Sequence, residues 1–501
     1  MKKLIVILAL LPVLPSLAQK MSNPKSFADI ITAADLKKNL YIVAGDEMEG
    51  RETATEGQRK AASFIENEFK SLGLLPGNNG SYQMQYPVYA DSLLRTSIAI
   101  NNTSFSVSED FSFSLSANYT AAYNFSEAVF VGYGISDSTR DDYKGIDAKG
   151  KLVLVFSGNI SGNISPTSKK QFNFYTQQQT AMKNGAMALL VVEPNINPVV
   201  PKGNMYVNEY QSAYRVNTFF ISEKMATTIM GDKYSSEKAA TQKGNNTSSI
   251  YKADVAIDFS KARNTMQSSN VLGLMEGTDL KDQYVILSAH YDHLGKKGEV
   301  IWHGADDDGS GTVTILQLAK AFAKAKAEGK GPRRSILFMT VSGEEKGLWG
   351  SDYYSSHPAF PLDKTTVDLN VDMVGRIDPT RKYGDSTNYV YVIGDDKLSS
   401  DLKPISEGVN KKYSKLELDY KYNNPNDPER IYYRSDHYNF AKHGVPIIFY
   451  FNGIHADYHK PTDTPDKINY ELMRKRARLV FFTAWEMANR QDMLKRDIPL
   501  K

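Results

Sequence analysis

Ser288-Ala289-His290-Tyr291-Asp292-His293-Leu294-Gly295 follows an apolar run and sets two imidazoles around a carboxylate. In open α/β sheets, binding sites form where strands end and loops begin. His290 is the better metal-ligand candidate, because Asp292 can accept a hydrogen bond from its second ring nitrogen and fix the tautomer that binds metal. Taken alone, a histidine at a strand end is more often structural. Further on, Gly304-Ala305-Asp306-Asp307-Asp308-Gly309-Ser310-Gly311 brings three carboxylates together just before a helical segment. Adjacent carboxylates resist ionisation unless a cation neutralises them. A solvated acidic turn is the bland alternative. A calcium loop usually alternates its acids with other residues, and this run does not.

Ser342-Gly343-Glu344-Glu345 follows a third apolar run. One of its carboxylates can bind metal while the other takes a proton from water, although an isolated Glu-Glu pair is also a common surface feature. Asp372 interrupts the apolar stretch Asn370-Val371-Asp372-Met373-Val374-Gly375. A buried carboxylate is costly without a cation or donors nearby. His459 lies in His455-Ala456-Asp457-Tyr458-His459, just after the apolar run Pro446–Phe451. The chain has no cysteine, so any metal must be held by His, Asp and Glu. Each of these pieces is ambiguous alone, but the ordered set is not.

The order His290-x-Asp292, Ala305-Asp306-Asp307-Asp308-x-Ser310-Gly311, Glu344-Glu345, Asp372-Met373-Val374 and Tyr458-His459 resembles family M28 of the zinc peptidases. The likeness extends to Gly45-Asp46-Glu47-Met48-Glu49-Gly50-Arg51-Glu52-Thr53 and the helical stretch after it. Asp142-Tyr143-Lys144-Gly145 and Lys149-Gly150-Lys151-Leu152-Val153-Leu154-Val155 resemble the protease-associated domain often inserted in such enzymes. The resemblance implies two zinc ions bridged by Asp307, with His290 and Asp372 on one, and Glu345 and His459 on the other. It implies Glu344 as general base and Asp292 as the group that orients His290. Tyr432 and Tyr433 are candidates for a phenol that stabilises the oxyanion, and a packed aromatic pair is an equal reading of them.

No expected ligand is missing, which favours an enzyme over a secreted peptide-binding descendant. The leading expectation is an aminopeptidase acting on peptides with neutral or hydrophobic N-terminal residues. A carboxypeptidase or dipeptidase is the runner-up, with Arg376 or Arg434 pairing a substrate carboxylate; structural ion pairs are the commoner use of such arginines. The complete two-metal set argues against the one-zinc glutaminyl cyclases of the same fold. His303 and His437 are not needed as ligands, His357 and His443 read as surface or loop residues, and His455 and Asp457 are expected behind the ligands.

The elements that must position these residues are legible in the pattern. Apolar runs at Tyr284–Ala289, Ser335–Val341, Tyr389–Ile393 and Pro446–Phe451 alternate with helical segments such as Thr312–Ala325 and a long helix near Tyr470–Ala488. Continuous apolar strands alternating with helices predict a mixed, mostly parallel α/β sheet covered on both faces. The stretch from Asp35 to Leu74 is helical in period. From 127 to 255 the composition shifts to short strands and polar loops, predicting a small, mostly-β insert; 19–126 and 256–501 then form the catalytic domain. At the N-terminus, Lys2 and Lys3 precede an apolar run, Leu4 to Leu17, broken by Pro12 and Pro15 and followed by Ala18. That is the layout of a signal peptide over residues 1–18, and it falls short of the roughly 20 apolar residues of a membrane span. Export to the periplasm or beyond is expected. Net charge is only +3, with acids and bases interleaved, which leaves no basic face for nucleic acid.

Overall fold

The computed structural model describes residues 23–158, 172–207, 215–245 and 248–500. The expected signal peptide lies outside them. The chain divides into two compact units, one formed by residues up to Tyr86 together with Ser268–Lys501, the other by Pro87–Gln267.

At the centre of the first unit four strands run parallel: Ile447–Phe451, Thr365–Val371, Leu280–His290 and Arg334–Val341. Tyr389–Ile393 pairs antiparallel to Ile447–Phe451 on one side, and Val271–Met275 pairs antiparallel to Arg334–Val341 on the other. The central stretches of the four strands are buried and largely apolar because both faces are covered. Side chains alternate between the faces. Val285, Leu287, Ala289, Ile336 and Phe338 enter one core with the helices Ala33–Val43, Glu56–Ser71, Gly311–Ala327 and Tyr470–Asn489. Ile286, Leu337, Met339 and Val341 enter the other, with Tyr354 and Phe440. This is the mixed, mostly parallel α/β architecture predicted from the pattern.

The helical period between Asp35 and Leu74 resolves into two helices separated by the turn Asp46–Arg51. Thr32 caps the first by accepting from the Asp35 amide at 3.1 Å. Glu49 and Gly50 take left-handed φ values of 50° and 67°, which no helix continues through. Three arginines in this unit are fully buried: Arg51, Arg334 and Arg476. Each donates to several main-chain carbonyls, and Arg334 also to the Gln283 side chain at 2.9 Å. Arg334 donates to Met487, Arg490 and Gln491, and Arg476 to Val374, Arg376 and Tyr389.

The second unit is wider than the 127–255 block and sets helices beside its strands. Ala121–Phe130, Leu152–Phe156, Ala188–Val192 and Asn217–Ile221 are parallel, with helices Phe174–Lys183, Glu223–Met230 and Tyr234–Gln242. Phe111–Phe113 closes one edge antiparallel to Asn217–Ile221, and Thr103–Phe105 and Lys202–Tyr206 pair along the strand Gln83–Ile100. Those pairings bring residues 87–126 into this unit. Among the described residues, no helix of either unit is long and apolar enough to cross a membrane.

Candidate metal centre

All four parallel strands deliver a functional side chain at or just beyond their carboxyl ends. His290 is the last residue of Leu280–His290; Glu344 and Glu345 follow Arg334–Val341; Asp372 follows Thr365–Val371; His459 lies in the loop after Ile447–Phe451. Donor atoms of His290, Asp307 and Asp372 lie within 4.8 Å of one another, and so do those of His293, Asp307 and Glu345. Asp307 belongs to both groups. His459 Nε2 stands 3.1 Å from Asp307 Oδ2 and 3.1 Å from Glu345 Oε2. The seven residues singled out in the sequence therefore meet, and His293, passed over in favour of His290, joins them.

The three adjacent aspartates have separate tasks. Asp306 Oδ1 accepts from the Gly375 amide at 2.7 Å, and its Oδ2 lies 3.2 Å from His455 Nε2. Asp308 Oδ1 accepts from the amides of Gly311 and Met373 at 2.8 and 3.0 Å. Only Asp307 faces the donor groups. Asp463, which reads as an ordinary loop acid in sequence, accepts from the amides of Asp306 and Asp307 and so sets the turn. Gly304, at φ +53°, makes the approach sterically possible: a Cβ there would meet Asp307 O at 2.3 Å and His293 Cγ at 2.4 Å.

Asp292 does not orient His290 in the way expected. His290 Nδ1 lies 3.1 Å from the main-chain carbonyl of Asp292, and the carboxylate is 3.7 Å away. The carboxylate instead accepts from Thr53 Oγ1 at 2.7 Å and the Glu344 amide at 3.3 Å, which ties the loop of the candidate base to that of His290. Arg51 braces both ligand-bearing loops at once. It donates to the carbonyls of Tyr291, Val43, His303 and Gly304 at 2.7–2.9 Å. Burial lowers its pKa to about 10 against the opposing pull of nearby aspartates. Replacing it with Met strands those four carbonyls, so Arg51→Met is expected to cost at least about 3 kcal/mol, read as a shift of the urea midpoint.

Burial drives the electrostatics of the site and neighbouring charges correct it. Desolvation holds Glu344 well above the usual carboxylate range, opposed by His290. Asp372 is raised for the same reason. Asp307 goes the other way: burial alone would raise it, but His290, His459 and His293 hold it well below its ordinary value. His459 is raised to about 10 because Asp307 and Glu345 outweigh its burial.

His290 Nε2, His293 Nδ1, Asp307 Oδ2 and Glu345 Oε1 are buried and have no hydrogen-bond partner. Buried polar atoms are nearly always paired, so three orphans gathered around the unpartnered Asp307 oxygen fit a cation. An all-nitrogen-and-oxygen set of imidazoles and carboxylates suits zinc.

Residues 270–484 match the model of Peptidase family M28. The chain carries an M28 peptidase domain. It is 25% identical over 231 residues to aminopeptidase YwaD of Bacillus subtilis, covering 46% of this chain and 40% of that protein. It is 29% identical over 214 residues to a probable leucine aminopeptidase of Trichophyton verrucosum, covering 41% and 55%. The matches thus span about half of those relatives or less. An aminopeptidase from Aneurinibacillus sp. strain AM-1 superimposes with a TM-score of 0.52 at 20% identity, over 95% of this chain and 99% of that one, which speaks to fold.

A cleft in the M28 domain opens onto Asp307, Glu344 and Asp372, with an apolar wall of Met373, Ile431, Phe449, Phe451 and Ile454. Its phenol is Tyr458, not Tyr432 or Tyr433, which line a different cavity with Asp396 and Tyr422. Tyr458 stacks on His459 with ring centroids 3.9 Å apart. The remaining histidines stay out: His437 is buried against Phe449, His303 points to the Ala44 carbonyl, His455 backs Asp306, and His357 and His443 are exposed. Arg376 is engaged by Asp457 at 3.0 Å. Arg434 lines the cleft and donates to the Tyr458 hydroxyl at 3.3 Å.

Proposed function

We propose that this chain is a two-zinc exopeptidase that removes N-terminal residues from peptides. The observation that carries it is Asp307 shared between two donor groups, beside Glu344 and an apolar wall, at the carboxyl ends of four parallel strands. His290 and Asp372 would hold one ion, Glu345 and His459 the other, and Asp307 both. Bound zinc supplies Lewis acidity toward a peptide carbonyl and acidifies water. Glu344, held by its amide to Asp292, takes the proton from that water and returns it to the leaving amine. Tyr458 donates its hydroxyl hydrogen to the developing oxyanion. The apolar wall receives a neutral first side chain.

The carboxypeptidase reading keeps one supporting observation. Arg434 faces the same cleft and, among the described residues, no carboxylate is paired with it within 4.0 Å. Matched free and N-blocked dipeptides and aminoacyl anilides separate the two readings. Hydrolysis of free N-termini alone, lost with chelator and recovered with added zinc, is the expected result. Cleavage that survives N-blocking and requires a free C-terminus would transfer the reading to Arg434.

The exported location rests on Lys2, Lys3 and the apolar run after them; N-terminal sequencing of mature protein is expected to begin at Gln19. The unit Pro87–Gln267, with cores of its own, is read as the protease-associated-like insertion.

A further inference from the structure

On one side of Asp307 stand His290 and Asp372. On the other stand three groups: Glu345, His459 and His293. His293 Nδ1 lies 2.6 Å from Glu345 Oε1 and 3.9 Å from Asp307 Oδ2. The ring is fully buried. Neither Nδ1 nor Glu345 Oε1 nor Asp307 Oδ2 has a hydrogen-bond partner, and Nε2 has none either, so no other group recruits the ring. It is held from behind, since its Cγ sits where a Cβ on Gly304 would come within 2.4 Å, and its amide bonds the Arg51 carbonyl at 3.3 Å. A ring nitrogen and a carboxylate oxygen this close, both buried and outside hydrogen-bond geometry, converge as donors on a shared point.

We infer that His293 is a fourth protein donor at the Glu345–His459 position. The inference rests on the two-ion reading and deepens it: the two positions are unequal. One is enclosed by His293, His459, Glu345 and Asp307. The other has His290, Asp372 and Asp307, beside Glu344, whose Oε2 is 3.9 Å from His290 Nε2. Zinc enclosed by four side chains has the donor count of structural sites, whereas a three-donor position keeps a place open. The four-donor position is therefore the tighter one, and the exchangeable ion sits beside the candidate base.

The test uses the full chain, stripped with a chelator and titrated with Zn²⁺ by calorimetry and with Co²⁺ by visible absorption. Wild type is expected to take up two ions of unequal affinity. His293→Ala should weaken the tighter ion by more than about 100-fold, beyond the loss typical for groups that only support a ligand, and change its cobalt spectrum. The weaker ion should bind as before, which also reports that the variant is folded. His293→Gln, which can still donate a hydrogen bond to Glu345 but lacks the imidazole, should fare no better. Recovery of wild-type affinity in His293→Gln would overturn the inference, because the ring would then be a prop for Glu345. Unchanged affinities in His293→Ala, or loss of both ions in both variants, would overturn it too. A wild type that binds fewer than two ions would sink the two-ion reading itself, and that outcome needs no variant.

Discussion

Glu344→Gln is expected to lower kcat by about 10²–10⁴-fold, the range for losing a positioned general base, while leaving metal content and KM close to wild type. The amide keeps the size of the side chain, and the loop is fixed independently by the Glu344 amide on Asp292 and by the turn bond from Gly347 to the Glu344 carbonyl at 2.9 Å. Glu344 Oε2 is 3.9 Å from His290 Nε2, farther than Asp307 or Asp372, which suits a group that works on water and not on the ion. Steady-state kinetics combined with elemental analysis of the same sample checks this. Retained activity, or loss of metal along with activity, would remove Glu344 from the role.

Asp307→Ala should have the largest effect of any single substitution. It removes the one side chain common to both donor groups, so each position drops a ligand at once. Both ions are expected to weaken by more than about 100-fold, since loss of groups behind a ligand already costs 10–100-fold, and hydrolysis should fall below detection. Asp372→Ala is the comparison that gives the result meaning: it should weaken one ion and spare the other. If Asp307→Ala retained one ion at wild-type affinity, the shared-carboxylate arrangement would be wrong.

The strands were legible because burial on both faces makes them apolar runs, and three of those runs are followed by a residue of the site. The ordered motifs then gave the ligand candidates. Other parts depend on distances that sequence does not encode. Asp292 offers both a carbonyl and a carboxylate two residues from His290, and only coordinates reveal that the carbonyl is nearer to Nδ1. Tyr432 and Tyr433 lie close in sequence to Arg434, which lines the cleft, yet they turn to another cavity, while in sequence Tyr458 is only the neighbour of His459. The strands Gln83–Ile100 and Ser249–Met275 carry many polar residues, so they lack the apolar signature of the central strands, and the edges of the second unit are not legible from composition. His293 shares its motif with His290, and spacing alone does not separate the two rings.

The buried arginines also bear on where such a protein can work. A disulfide joins two points of a chain and depends on the redox state of its surroundings; this chain has no thiols at all. Arg51 gathers four separate carbonyls, from Val43, Tyr291, His303 and Gly304, and is thus a cross-link of valence four with nothing to oxidise or reduce. The loops that carry His290, His293 and Asp307 are consequently knotted together by a group indifferent to glutathione or oxygen, and their alignment should be the same in reducing and oxidising compartments.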